Sequence, residues 1–249
     1  MTNWTERTLR TQIQKACQAL SQRGLVAATD GNVSARLGPD RVLITPSGIS
    51  KGDVTELNIM LCDMDGRKIR GRGEISSEVH VHLAAYRSRD DIGAVVHAHP
   101  PTATAFTFAG MEHLLREPIV PEVTAQIGPI PSAPYVTPGS RALAEAFAPH
   151  IKTCDIVMLS QHGAVAVGKD PWAAYLRMEK LEHFAMIVKA ARELSGSGDV
   201  KRLDEQQIDE LMESYGKGKL SKKKDDDELD DALIERIASE VLQRLGRTG

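Results

Sequence analysis

The sequence is short of net charge, of cysteine and of unbroken apolar runs, and each shortage removes a class of protein. Its 249 residues carry 31 Lys and Arg against 34 Asp and Glu, a formal net charge of -3. Nucleic-acid binders usually carry a marked basic excess, so no nucleic-acid partner is expected. No stretch reaches the roughly 18 consecutive apolar residues of a membrane span. The opening, Met1 to Arg7, lacks the basic-then-apolar pattern of a secretory signal, which makes the cytoplasm the expected location. Cys17, Cys62 and Cys154 are odd in number, far apart and free of C-x-x-C spacing, which argues for reduced thiols packed as small hydrophobes rather than a disulfide framework.

What is there is enough to build a core. With 41% hydrophobic residues and little net charge, the chain can bury the apolar surface that folding requires. At roughly 150 residues per domain, the length suggests one large domain with an appendage. From Thr5 to Gly24, the residues Leu9, Ile13, Ala16, Cys17 and Leu20 recur at helical spacing. Strands are expected at Val33 to Leu37, Val42 to Thr45 and Asn58 to Cys62, punctuated by turn residues, as an antiparallel meander. Ser76-Ser77-Glu78 opens a helical stretch to Arg87, and Ile92 to Ala98 is an apolar strand ended by Pro100-Pro101. Further on come a helical patch at Thr102 to Ala109, a Pro-rich stretch from Pro118 to Pro138, a helix at Ser140 to Phe147, a strand at Asp155 to Gln161 and a long helix from Pro171 to Leu194. Interleaved strands and helices favour an α/β fold, a sheet covered by helices.

The composition changes after Gly196-Ser197-Gly198. Leu203 to Ser214 reads as a short packing helix, and Lys217 to Asp231 as a solvated run of Lys and then Asp. Beyond it Ile234, Ile237, Ala238, Val241, Leu242 and Leu245 form an apolar stripe at i, i+3, i+4, i+7, i+8 and i+11.

The chemistry starts at His97-Ala98-His99. Residues i and i+2 of a strand share a face, so both imidazoles are placed for one metal ion, although H-x-H alone is a weak signal and a pair of structural histidines is its plainer reading. Ser160-Gln161-His162-Gly163 puts a third histidine at the end of another apolar strand, where Gly allows a tight turn. Three imidazoles leave coordination positions open for substrate. His80, His82, His113, His150 and His183 lack such a setting and read as structural or surface residues. Gly31-Asn32, Ser47-Gly48 and Ser76-Ser77 are short donors in three loops, suited to a phosphate if they converge and to ordinary turns and caps if they do not. Glu78 is either a dipole-complementing carboxylate or, if its helix faces the histidines, a general base.

These stretches, together with Thr29 to Ser34, Ile44 to Gly48, His97 to Pro100, Ile130 to Tyr135 and Gln161-His162-Gly163, resemble the zinc-dependent class II sugar-phosphate aldolases of the fuculose-phosphate aldolase type. That family shares its fold with ribulose-phosphate 4-epimerases and adducin head domains. The resemblance covers residues 5 to 216. It implies a three-layer α/β/α domain with a central, mostly antiparallel sheet over residues 1–216, and a homotetramer with active sites between subunits. It also implies one zinc ion per subunit on His97, His99 and His162, substrate phosphate bound by Gly31, Asn32, Ser47, Gly48, Ser76 and Ser77, and Glu78 as acid/base. The implied reaction is cleavage of a deoxyketose 1-phosphate, fuculose or rhamnulose 1-phosphate, to dihydroxyacetone phosphate and lactaldehyde. Where the family places a tyrosine that protonates the departing aldehyde oxygen, the matching stretch here is Val120-Pro121-Glu122-Val123, with Glu122 at or next to that position; a second family tyrosine matches Tyr215. Epimerase and methylthioribulose-phosphate dehydratase activities reuse the same site, and an adducin-like scaffold is the non-enzymatic alternative.

The remainder, a charged linker at 217–228 and an amphipathic helix at 229–249, resembles the encapsulation peptides that tether enzymes to bacterial microcompartment shells. That resemblance implies a shell or cargo partner for residues 229 to 246; packing on its own oligomer is the alternative.

Overall fold

Two periodicities in the chain, four residues in its helices and two in its strands, sort apolar side chains onto the two faces of one sheet. The structure is a computed structural model and describes residues 4–217. It divides into two units, Met1–Ile208 and Asp209–Gly249. The expected linker and tail helix lie outside the described residues, apart from Lys217.

The first unit carries helix α1 (Glu6–Gln22), strands β1 (Asn32–Arg36), β2 (Arg41–Ile44), β3 (Met60–Asp63) and β4 (Lys68–Arg70), helix α2 (Val79–Ser88) and strand β5 (Ala94–Ala98). There follow helices α3 (Pro101–Phe108) and α4 (Pro121–Gln126), strand β6 (Ser132–Ala133), helix α5 (Arg141–Ile151), strands β7 (Ile156–Leu159) and β8 (Gly163–Gly168) and helix α6 (Pro171–Ser195). Helix α7 (Glu205–Ser214) begins in this unit and continues into the second. The eight strands form one sheet in the order β4-β3-β2-β1-β5-β8-β7-β6. Every pairing is antiparallel except β6 with β7.

On one face of the sheet Val33, Ala35, Ala94, Val96, Ala164 and Ala166 pack with α1, α3 and α6. On the other, Val42, Ile44, Val95, Val157, Val165 and Val167 pack with α2 and α5. Alternating strand residues thus serve opposite layers, which produces the three-layer α/β/α domain. Local signals fix the helix ends. The Thr5 hydroxyl accepts from the Thr8 N–H and the Asp170 carboxylate from the Ala173 N–H, while Pro171 opens α6 and Gly196, at φ 67°, closes it.

The structure adds elements that the sequence pattern did not indicate. Strand β8 is Gly-Ala-Val-Ala-Val-Gly, buried on both faces, so it lacks the alternation of a half-exposed strand. Helix α5 runs past Phe147 through Pro149, because its last turn buries Ile151 fully. The Pro-rich stretch holds α4 and β6. Cys17, Cys62 and Cys154 are all free thiols. Burial pushes Cys17 up to about 12 and Cys62 up to about 11, as for thiols packed as hydrophobes.

Candidate functional site

The centre of the sheet delivers three imidazoles to one point. His97 lies in β5, paired with Asn32 of β1 on one side and Val165 of β8 on the other, and His99 follows just past the strand end. His162 closes the three-residue loop between β7 and β8, where Leu159 pairs with Gly163. The loop's left-handed residue is Gln161 at φ 55°, whose N–H donates to the Thr107 hydroxyl. Gly163 therefore serves a different end from the turn expected of it. A Cβ there would lie 2.5 Å from the Ala98 carbonyl oxygen and 2.6 Å from His99 Cδ2, so only glycine lets β8 approach this closely. Gly31 combines both needs: its φ is 73°, and a Cβ would stand 2.8 Å from the His97 carbonyl oxygen.

Glu78 completes the cluster. It is the N-cap residue of α2, and its carboxylate makes no capping bond. Instead Oε2 lies 3.2 Å from His97 Nε2 and Oε1 lies 3.2 Å from His162 Nε2. Of the two readings open for Glu78, the one in which its helix faces the histidines describes the geometry. Ser76, expected as a cap, turns its hydroxyl to the Glu78 N–H and to the Asn32 amide. Burial pushes the Glu78 carboxyl up, but the His97 charge and hydrogen bonds from His162, His97 and Asn32 outweigh it and hold the group well below the usual carboxylate range. His99 is also pushed down, to about 4, through burial and the charge of the neighbouring imidazoles.

The donor set fits a divalent cation. One nitrogen from each of His97, His99 and His162 falls within 4.8 Å of the others. His97 Nδ1 donates to the Ala164 carbonyl at 2.9 Å, so its Nε2, 3.2 Å from both His99 Nε2 and Glu78 Oε2, is the nitrogen left to hold either a proton shared with Glu78 or a cation. His99 Nδ1 faces the Asp30 carboxylate at 3.5 Å, which turns the other ring nitrogen toward His97 and His162. A cation taking the place of the protons that these nitrogens share with Glu78 would be coordinated by all three imidazoles.

The loops expected to bind phosphate lie side by side. Pro46 bridges Ile75, and the Ser47 N–H donates to the Glu74 carbonyl at 2.9 Å, which sets Ser47-Gly48 beside Ser76-Ser77. Asn32 Nδ2 reaches Ser76 Oγ at 3.0 Å and Glu78 Oε2 at 2.9 Å. Ser47, Gly48 and Ser77 are exposed, and Gly31, Asn32 and Ser76 are buried. Glu122 is exposed on the first turn of α4 and takes no part in the bonds around Glu78. Tyr215, exposed, follows α7 in the second unit.

Three residues escaped the sequence reading. Asp30 directly precedes Gly31-Asn32, and its spacing gave no hint of His99. Lys51, almost fully buried, donates from Nζ to the carbonyls of Thr29 and Ile49 and so ties the Asn32 loop to the Ser47-Gly48 loop. Burial holds its amine below the usual lysine range. His82, expected to be a structural or surface residue, is fully buried and bonded to Asn32 and Ser34. Its place four residues after Glu78 in a helix was the signal available.

Comparison with known proteins agrees with this architecture. An L-fuculose phosphate aldolase of Methanococcus maripaludis is 36% identical over 179 residues, 71% of this chain and 94% of that protein. A 3-oxo-tetronate 4-phosphate decarboxylase of Haemophilus influenzae is 31% identical over 191 residues, 75% of this chain and 88% of its own. The crystal structure of YgbL from Escherichia coli superposes with a TM-score of 0.75 at 29% identity, covering 83% of this chain and 99% of YgbL. Residues 11–188 match the family described as Class II Aldolase and Adducin N-terminal domain. With that match spanning the sheet, the imidazoles and Glu78, the chain belongs to the class II aldolase and adducin N-terminal domain family.

Proposed function

We propose that this protein is a lyase that cleaves a deoxyketose 1-phosphate, fuculose 1-phosphate or a close relative such as rhamnulose 1-phosphate, reversibly to dihydroxyacetone phosphate and lactaldehyde. The observation that carries the reading is the convergence of Glu78 with His97, His99 and His162, at the edge of adjoining loops rich in short donors. In this reading His97, His99 and His162 hold one zinc ion, the metal that three imidazoles favour. Bound there, the metal supplies positive charge that polarises a carbonyl and its neighbouring hydroxyl.

The chain's own residues do the rest. Gly31, Asn32, Ser47, Gly48, Ser76 and Ser77 receive the phosphate far from the bond that breaks, which orients the sugar. Asn32, whose amide is shared between Ser76 and Glu78, joins the phosphate loops to the acid/base group. Glu78 delivers or removes the proton at C3, and Tyr215 or Glu122 serves the C4 oxygen. The protein works as a homotetramer with active sites between subunits. Residues 1–216 form the catalytic domain. Residues 217–228 are a linker, and residues 229–246 bind a shell or cargo protein of a bacterial microcompartment, where the reactive aldehyde is confined.

A second reading is favoured by the similarity to the Haemophilus decarboxylase. Loss of carbon dioxide from a 3-oxo acid and retro-aldol cleavage both break a carbon–carbon bond beside a carbonyl and leave negative charge on carbon, so the same site serves either. Product analysis separates the readings: the aldolase yields dihydroxyacetone phosphate, the decarboxylase carbon dioxide, and an epimerase or dehydratase neither.

A further inference from the structure

Behind Glu78, away from the histidines, runs a buried chain of polar groups that no role proposed above requires. It arises where two periodicities interlock. Glu78, His82 and Tyr86 succeed one another at intervals of four along α2, and Asn32 and Ser34 at an interval of two along β1. His82, Tyr86, Asn32 and Ser34 are all at most 3% exposed. Tyr86 Oη lies 2.7 Å from Ser34 Oγ, Ser34 Oγ lies 2.7 Å from His82 Nδ1, and His82 Nε2 meets Asn32 Oδ1. Asn32 Nδ2 then reaches Glu78 Oε2 and Ser76 Oγ.

The direction of every bond follows from the charge at one end. An ionised carboxylate only accepts, so the Asn32 group facing Glu78 is the amide NH2, and its carbonyl faces His82. His82 therefore donates from Nε2. Its imidazole is neutral, pushed down to about 3 by burial and by the charge of His97, so Nδ1 is the acceptor. The Ser34 hydroxyl donates to Nδ1, and the Tyr86 hydroxyl donates to Ser34. The opposite polarity would turn the Asn32 carbonyl toward the carboxylate.

We infer that His82, backed by Ser34 and Tyr86, is a positioning residue that fixes the orientation of the Asn32 amide, and that this amide in turn holds the Glu78 carboxylate in place for its proton transfer. The inference rests on Glu78 acting as the acid/base of the proposed reaction.

The test pairs turnover with a measurement that needs no substrate. His82→Leu removes the donor to Asn32 Oδ1, and His82→Gln supplies an amide donor in its place. The expected result is a fall in kcat of tenfold or more for His82→Leu, with KM and bound metal within twofold of wild type, and substantial recovery of kcat in His82→Gln. A rise in KM alone, an unchanged kcat, or equal losses in both variants would overturn the inference. Long-range nitrogen–proton NMR of the histidine-labelled full chain reads the His82 tautomer directly, including where His82→Leu does not fold. A proton on Nε2 that moves or exchanges faster in Tyr86→Phe is expected; a proton on Nδ1 contradicts the relay. A wild-type protein without turnover on the sugar phosphates would count against the reaction, while the tautomer would still decide the relay.

Discussion

Gly163 approaches Ala98 so closely that a Cβ on Gly163 would lie 2.5 Å from the Ala98 carbonyl oxygen, inside van der Waals contact. The same Cβ would meet the His99 ring, so a single methyl group presses on both the β5–β8 ladder and the imidazole cluster. Overpacking of this kind costs about 1–3 kcal/mol. Gly163→Ala is therefore expected to lower the urea midpoint and to weaken metal binding together. Unfolding curves and a metal titration of the same preparation check this; a variant unchanged in both would show that the strand yields without disturbing His99.

Removing one imidazole should remove the metal. His97 is the most enclosed of the three, with its Nδ1 anchored on Ala164. For His97→Ala, metal analysis should find loss of the one ion per chain expected of the wild type, with turnover falling in parallel. Retained metal at full stoichiometry would mean that the ion sits elsewhere.

Glu78→Gln preserves size while taking away the proton-accepting carboxylate. A positioned acid/base contributes on the order of 10²- to 10⁴-fold to rate. The expected loss of kcat falls in that range, with metal content unchanged because the three imidazoles remain. Steady-state kinetics beside metal analysis separates the two effects, and a loss below tenfold would assign the proton to another group.

Stability should fall in acid partly through His82. Its folded value is pushed down to about 3 from an ordinary value of 6.5, so between these limits the unfolded chain binds the extra proton. Stability on this account is fully present above about 6.5 and is lost as pH falls toward 3, by at most roughly 1.4 kcal/mol per pH unit. His82→Gln, lacking the titrating ring, should show a shallower acid dependence in denaturant melts between pH 6.5 and 4. Parallel dependences for the two proteins would remove His82 from the acid response.

The tail offers a prediction of its own. Fused to a fluorescent protein, residues 229 to 246 should localise to microcompartment shells in a host that makes them. Diffuse fluorescence there would count against an encapsulation role.

Much of the architecture was legible because it rests on patterns with one face in water. The α1 stripe, the proline that opens α6 and the i, i+2 pair His97 and His99 were readable from local pattern. Strand β8 was not legible, since burial on both faces erases alternation and its small residues answer to the closeness of β5 and α6. Strand β4 was hidden for the opposite reason: it is an exposed edge whose Lys-Ile-Arg buries nothing. In the site, short-range motifs named the groups that converge. Lys51, Asp30 and His82 were missed because their partners, the Thr29 carbonyl, His99 and Asn32, lie at separations that only the folded sheet closes. His82 came nearest to being readable, as part of the four-residue run Glu78, His82, Tyr86 on one helix.

The most direct measurement is release of dihydroxyacetone phosphate from fuculose, rhamnulose and 5-deoxyribulose 1-phosphates, followed through a coupled reductase, with and without a chelator and with Glu78→Gln as control. The account predicts release from at least one of the three that is abolished by chelation and restored by zinc. No release from any of them by protein carrying one zinc per chain, or full release from metal-free protein, would contradict it.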